Sequence, residues 1–241
     1  MRVGMPAGGD AGGAAGRIIT SPDCVAEGAA WLAARFPPFA HALAVTGPLP
    51  LRRSGDGFPA LLDAIVAQQV STASADAVMA RLQAAGLVTP GAILAADEEG
   101  LRACGLSRQK TGHVRALAAA GPDFQALREA PDAEVVARLV ALPGIGRWTA
   151  EIYAIVSLGR ADVFAAGDLA LREAARDLFA LDGRPSEAAL RAMAAAWSPW
   201  RAVAARALWA YYRVMKGRAV APARPAGAAG AAPQTGGGER P

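Results

Sequence analysis

The feature that most constrains this chain is an apolar period of 3.6 residues that recurs along it, with almost nothing of period two. Phe58, Leu61, Leu62, Ile65 and Val66 share one helical face; so do Val135, Val136, Leu139 and Val140, then Trp148, Ile152, Ile155 and Val156, then Leu171, Ala175, Leu178 and Phe179. Each stripe must be buried against a neighbour. Alanine supplies nearly half of the 53% apolar fraction, and aromatics make up only 6%. Alanine is the strongest helix former, which argues against a β-sandwich or barrel. The expectation is an all-α protein of nine to eleven helices joined by short loops, with no internal repeat. Ser107, Asp132, Ser186 and Ser198 stand where helices should be N-capped, Pro199 at a first helical position, and Gly121, Gly159 and Gly183 just past helix ends.

Both ends read as tails. Residues 1–17 and the closing APARPAGAAGAAPQTGGGERP are Gly/Ala/Pro-rich and bury too little to offset the entropy of ordering them. No segment approaches the roughly 20 uninterrupted apolar residues of a membrane span, and the N-terminus has no apolar signal core, so a cytoplasmic protein without membrane contact is expected. Cys24 and Cys104, with two histidines, are too few for a disulfide framework or a zinc or iron–sulfur cluster.

A formal charge of +4 points weakly toward nucleic acid. One net positive charge lies in residues 1–20 and two lie in 217–241, which leaves one for the body. Any basic footprint is therefore local. Leu101–Pro122 holds Arg102, Arg108, Lys110 and Arg115 without an acid, and Ala188–Lys216 holds Arg191, Arg201, Arg206, Arg213 and Lys216, again without one. Such runs also serve as plain solvated helix faces.

Chemistry is written most clearly in Leu142-Pro143-Gly144-Ile145-Gly146-Arg147-Trp148-Thr149-Ala150, between two periodic helices. Two glycines one residue apart permit positive φ, and the helix starting near Arg147 leaves first-turn amides free, through Thr149. That is a seat for a phosphate oxygen, or else an ordinary tight turn with Ile145 packed inward. Twenty residues after Trp148 comes Asp168, preceded by Gly167 and followed by a clean apolar stripe. It reads as a helix N-cap, and a carboxylate at a helix N-terminus is also suited to face developing positive charge.

The string LPGIGRWTA resembles the helix-hairpin-helix motif of DNA-repair proteins. With the Gly167-Asp168 pair at this separation, the chain resembles the HhH-GPD base-excision glycosylase superfamily, named for that hairpin and a Gly/Pro-rich loop ending in aspartate. Phe58–Ser71 with its Gln68-Gln69-Val70-Ser71 corner, Gly105–Lys110 and Trp197–Arg201 resemble the DNA-3-methyladenine glycosylase II branch. The resemblance spans roughly residues 20–217.

The resemblance implies an architecture of two helical subdomains flanking a DNA-binding cleft. One comprises residues 58–165 with the hairpin, the other residues 20–57 with 166–217, and tails occupy 1–19 and 218–241. It implies Asp168 as the catalytic carboxylate, phosphate binding at Gly144, Gly146, Arg147 and Thr149, and Gln69 at the position that wedges into the base stack, where relatives carry an apolar side chain. It also implies a structural Na+ or K+ on the backbone carbonyls of Val140, Leu142 and Ile145, with no other cofactor. The substrate pocket would include Trp148, Gln68 and Tyr153. From the residues alone, Trp148 is either a pocket wall or core, Tyr153 core or surface, and Gln68 a base contact or a cap. His41 and His113 read as surface or capping residues. The stretch before Phe58 cannot supply the β-rich domain of longer relatives, so the compact form is expected.

Strand-cleaving members form an imine through a lysine at the position of Trp148, and Lys110 and Lys216 are the only lysines in the chain. The iron–sulfur branch needs four cysteines after the catalytic region, and none follows Cys104. The expected function is a monomeric, monofunctional glycosylase of base excision repair, acting on alkylated purines of the 3-methyladenine type in double-stranded DNA. Two alternatives stay open: a non-catalytic helix-hairpin-helix DNA-binding module, and a glycosylase of the same fold for deaminated or oxidised bases.

Overall fold

The computed structural model describes residues 16–217. Among them are thirteen α-helices and one 3-10 turn: α1 Pro22–Arg35, α2 Pro37–Thr46, α3 Phe58–Val66, α4 Thr72–Ala84, α5 Pro90–Ala95, α6 Glu98–Ala103, α7 Arg108–Ala120, α8 Phe124–Glu129, α9 Asp132–Val140, α10 Arg147–Val156, α11 Leu169–Leu178, α12 Glu187–Ala194, the turn Ala195–Trp197, and α13 Arg201–Met215. The all-α expectation holds, and there are more helices than expected. The extra ones, α5, α6 and α8, are six residues each, too short to display a 3.6-residue period. Among the described residues no helix is long and apolar enough to cross a membrane.

Helices pack in two groups. α11 and α13 pack together, α13 also on α2 and α1, and α1 on α2; in the other group α7 packs on α3, α5 and α6, α9 on α8 and α10, and α3 on α4 and α10. Their buried side chains join in one continuous core. Phe39, Phe164, Phe179 and Trp197 form its aromatic centre, with Phe39 edge-on to Trp197 at 5.1 Å and Phe179 stacked on it at 5.7 Å. Glycine is required at position 28, where α1 crosses α13: a Cβ there would lie 2.6 Å from the Trp200 ring and 2.7 Å from Val203. Helix starts follow side-chain chemistry. Ser107 and Ser186 accept the N–H of Lys110 and Ala189, as expected, and Thr89, Asp97 and Asp123 cap the short helices in the same way, each cap contributing about 1 kcal/mol.

Two expected boundaries shift. Asp132 lies in the first turn of α9 rather than capping it, because its carboxylate faces the buried Arg160 guanidinium at 3.4 Å. The last helix starts at Arg201, not Pro199, since the Ser198 hydroxyl donates to Asp162, which Arg201 also holds through two bonds of 2.8 and 2.9 Å. The N-terminal tail also ends earlier than expected. Ile18 bridges Arg160, and Ile19 is buried with its N–H on the Gly159 carbonyl. Residues 1–15 of that tail, and residues 218–241, fall outside the described residues.

Two connections join the groups. Segment 47–57 is pinned by Ser54 N–H to the Val156 carbonyl, by Gly57 N–H to the Tyr153 hydroxyl and by Arg206 Nε to the Leu51 carbonyl. Segment 157–168 is held by Arg160, whose Nη2 donates to the carbonyls of Leu127, Arg128 and Ala130, and by the Asp162 contacts. Asp168 is therefore delivered by a braced loop.

Candidate active site

Gly146 ends the α9–α10 connection as the N-cap of α10, and it has no side chain with which to cap. The first α10 amide that bonds back is Ala150 N–H, to the Gly146 carbonyl. The N–H groups of Arg147, Trp148 and Thr149 therefore open outward with the positive end of the helix dipole. Gly144 has φ +83°, and a Cβ on it would lie 2.5 Å from the His113 ring. Glycine is thus demanded twice. Ile145, 3% exposed, plugs the core between the two glycines. Gly146, in contrast, has nothing within 4 Å of where a Cβ would stand. No steric contact requires glycine there, and the missing side chain leaves the space in front of the amides open.

Gln68 Nε2 donates to the Gly144 carbonyl at 2.8 Å and so braces the hairpin. Its neighbour Gln69, exposed with φ +57°, stands at the tip of the α3–α4 corner. A non-glycine residue in the left-handed region costs of order 1 kcal/mol, and such residues cluster at functional sites. Lys110 Nζ holds the same corner through the Val66 carbonyl at 2.7 Å.

Asp168 caps α11, with its Oδ1 accepting Leu171 N–H at 3.0 Å. Its Oδ2 accepts the Trp148 indole N–H at 3.1 Å. Both carboxylate oxygens are thereby fixed from two helices. Trp148 is 47% exposed, so it presents a ring face beside the carboxylate and is not core. Tyr153 is 4% exposed, and its hydroxyl accepts Gly57 N–H, with burial pushing its pKa up to about 12. It is a core residue bracing α10 against segment 47–57, and the structure does not bring it to Trp148 and Asp168. Thr149 is buried by its side chain and exposes only its amide to the hairpin mouth. Arg147 is exposed at the first position of α10 and reaches Glu151 at 3.3 Å.

The carbonyls of Val140, Leu142 and Ile145 are uncharged oxygen donors on one turn. Leu142's accepts Ile145 N–H and keeps a second lone pair. This donor set suits a monovalent cation, since a divalent ion calls for carboxylates. Among the described residues no group of three His, Cys, Asp or Glu could hold a metal.

Several residues around the site were not legible in the pattern. His113 backs Gly144. Glu151, 2% exposed on α10, accepts from Arg191 of α12 at 2.8 Å and locks the hairpin helix to the other group. Arg52, φ +46°, stands with its guanidinium 5.7 Å from the Trp209 ring centre. Burial lowers the pKa of Arg52, the nearby Arg213 lowers it further, and the attraction of Asp168 opposes both. The basic run 188–216 is largely internal: Arg206 is buried and donates to three carbonyls, while Arg191 and Arg201 are paired with Glu151 and Asp162.

Residues 62–201 match the family model for the HhH-GPD superfamily base excision DNA repair proteins. The chain belongs to that superfamily. DNA-3-methyladenine glycosylase 1 of Schizosaccharomyces pombe is 32% identical over 62% of this chain and 69% of its own, which places the chain in the 3-methyladenine DNA glycosylase family. Two solved structures share the HhH-GPD fold at 28% identity. The Schizosaccharomyces pombe 3-methyladenine DNA glycosylase Mag1 in complex with abasic DNA has a TM-score of 0.67 over 79% of this chain and 97% of that one. DNA-3-methyladenine glycosidase from Bacillus halodurans has a TM-score of 0.69 over 83% and 94%. The matched HhH-GPD span includes the hairpin, Asp168 and the Gln68-Gln69 corner.

Proposed function

We propose that this protein is a monofunctional DNA glycosylase that extrudes alkylated purines of the 3-methyladenine type from double-stranded DNA and hydrolyses their N-glycosidic bond. The observation that carries this reading is the Asp168 carboxylate, held by Leu171 N–H and the Trp148 indole beside the open amides of α10. DNA lies across the groove between residues 58–165 and the unit formed by 20–57 with 166–217. The amides of Arg147, Trp148 and Thr149 grip a phosphate without reading sequence, and Gln69 enters the gap left by the extruded nucleotide. Na+ or K+ on the carbonyls of Val140, Leu142 and Ile145 would add positive charge behind that phosphate.

Alkylation gives the purine a positive charge, so the base departs as a neutral molecule with the bonding electron pair and leaves an oxocarbenium-like sugar. Asp168 opposes that positive charge electrostatically. Water then bonds to C1′ and gives up a proton, leaving an intact abasic strand. The exposed Trp148 face attracts the cationic base before departure. A binding module without catalysis would have no use for a carboxylate clamped at a site facing phosphodiesters. An imine mechanism lacks its amine: Lys110 is engaged with the Val66 carbonyl, and Lys216 closes α13 with its ammonium 5.7 Å from the Tyr212 ring.

The test is base release from methylated DNA against uracil, hypoxanthine and 8-oxoguanine duplexes, with Asp168→Asn alongside. Asp168→Asn should bind duplex like the wild type and lose base release by about 100-fold or more in single turnovers. Undiminished release would remove Asp168 from the mechanism. Release from the other duplexes but not from methylated DNA would transfer the enzyme to deaminated or oxidised bases. Nicking without alkali, or a borohydride-trapped adduct, would overturn the monofunctional assignment.

A further inference from the structure

Near Asp168, Arg52 and Arg213 stand close enough to repel each other, and among the described residues neither has an ion pair of its own. Arg52 lies in segment 47–57, whose position is fixed on both sides: Arg206 holds the Leu51 carbonyl at 3.1 Å, and Ser54 N–H bonds the Val156 carbonyl at 3.1 Å. Its backbone is in the left-handed region at φ +46°, a conformation an arginine adopts only when its surroundings impose it. Its guanidinium stands over the ring of Trp209. Arg213 follows Trp209 by one turn of α13, on the same face, and its Nε is buried with no hydrogen-bond partner. Among the described residues neither arginine forms an ion pair, whereas Arg128, Arg191 and Arg201 all do.

Two cations held close together, partly out of water and with one donor unsatisfied, repel each other, and a buried donor without a partner is costly. The nearby Asp168 carboxylate offsets only one charge, and its oxygens already accept from Leu171 and Trp148. The arrangement is completed by an anion with several acceptor oxygens that can take two guanidinium groups at once, which is the chemistry of a phosphodiester.

We propose that Arg52 and Arg213 form a second phosphate-binding site, which grips the DNA backbone flanking the extruded nucleotide from the α13 side of Asp168. It rests on the reading of this cleft as a DNA site. The hairpin amides then hold one phosphate and the arginine pair another, so the sugar at Asp168 is positioned by two backbone contacts.

The experiment is a binding cycle that needs no base release. Duplexes carrying a stable tetrahydrofuran abasic analogue, each with a single neutral methylphosphonate at a different phosphate around the lesion, are titrated with wild type, Arg52→Gln, Arg52→Lys and Arg213→Gln. Arg52→Gln and Arg213→Gln should each weaken binding about tenfold and lower the salt slope of log Kd by about one, with Arg52→Lys intermediate. Neutralising one particular phosphate should weaken the wild type comparably and add nothing further in either Gln variant, while effects at other phosphates add. Additivity at every phosphate, or Gln variants that bind and melt like the wild type, would overturn the proposal. The cycle can succeed in a protein that releases no alkylated base, in which case the arginine site stands and the glycosylase assignment fails. It can fail in an active glycosylase, in which case only the site is lost.

Discussion

Two turns of this molecule are built alike and part at the helix N-cap. In the α6–α7 turn, Gly105 at φ +98° is followed by the buried Leu106, then Ser107, then Arg108 at the first helical position. In the α9–α10 turn, Gly144 at φ +83° is followed by the buried Ile145, then Gly146, then Arg147. Each is braced by a side chain donating to a turn carbonyl at 2.8 Å, Arg81 to Cys104 and Gln68 to Gly144. Each left-handed glycine is also crowded, by Arg81 in one turn and His113 in the other. At the N-cap the two part ways. The Ser107 hydroxyl accepts Lys110 N–H, whereas Gly146 leaves its helix end uncapped. The turn that satisfies itself is a structural corner; the turn that leaves its amides free is equipped to bind an anion. Folding alone would favour serine at both positions, because a Ser cap stabilises a helix more than Gly does.

The largest effect that can test this pairing is at the left-handed glycines. Gly144→Val should cost roughly 2–5 kcal/mol, from forcing a β-branched residue to positive φ and from collision with His113. Affinity for damaged and undamaged duplex should fall together in whatever remains folded. Gly105→Val should destabilise by a similar amount, yet its folded fraction should bind DNA with wild-type affinity. Denaturant melts paired with duplex titrations read both quantities. Equal loss of DNA binding in the two variants would mean that both turns touch DNA.

A smaller but sharper effect is expected from Gly146→Asp. The new carboxylate has open space in which to stand and can accept an α10 amide, so the unfolding free energy should hold or rise by about the few tenths of a kcal/mol that separate Asp from Gly at an N-cap. The same carboxylate occupies the phosphate seat with a negative charge, so duplex affinity should drop about tenfold or more. Stability and affinity thus move in opposite directions, which no general damage to the fold produces. A stable variant with unchanged affinity would show that the α10 amides do not hold phosphate.

The reach of the sequence follows the range of the interactions. Helix stripes, Ser107 and Ser186 as caps, the Ile145 plug and Asp168 as the cap of α11 are local, within four residues, and all were legible. The all-α fold followed from them. What crosses the chain was not: Trp148 meets Asp168 twenty residues away, Gln68 meets Gly144 at 76, and Arg191 meets Glu151 at 40. Asp132 and Ser198 look like caps in isolation and are drawn off by Arg160 and Asp162, partners that only the packed fold supplies. Tyr153 shares a helix with Trp148, but its direction was set by Gly57 from segment 47–57. The kinship of the two turns was hidden as well, because Gly-Leu-Ser-Arg and Gly-Ile-Gly-Arg agree over too few residues to register as a repeat.

The smallest effect belongs to the corner that caps itself. Ser107→Ala removes the hydroxyl that accepts Lys110 N–H at 3.3 Å, and the loss of a serine N-cap costs about 1 kcal/mol. Arg108 remains beside Glu98, Leu106 still fills the core, and Lys110 still holds the Val66 carbonyl through its own ammonium, so the α3–α4 corner bearing Gln69 keeps its support. The melting temperature should therefore fall by a few degrees. Duplex affinity and base release, measured below the transition, should stay within about twofold of the wild type. If Ser107→Ala instead tightened duplex binding, its newly freed amides would be taking a phosphate, and a single hydroxyl would be all that separates the corner from a second binding hairpin.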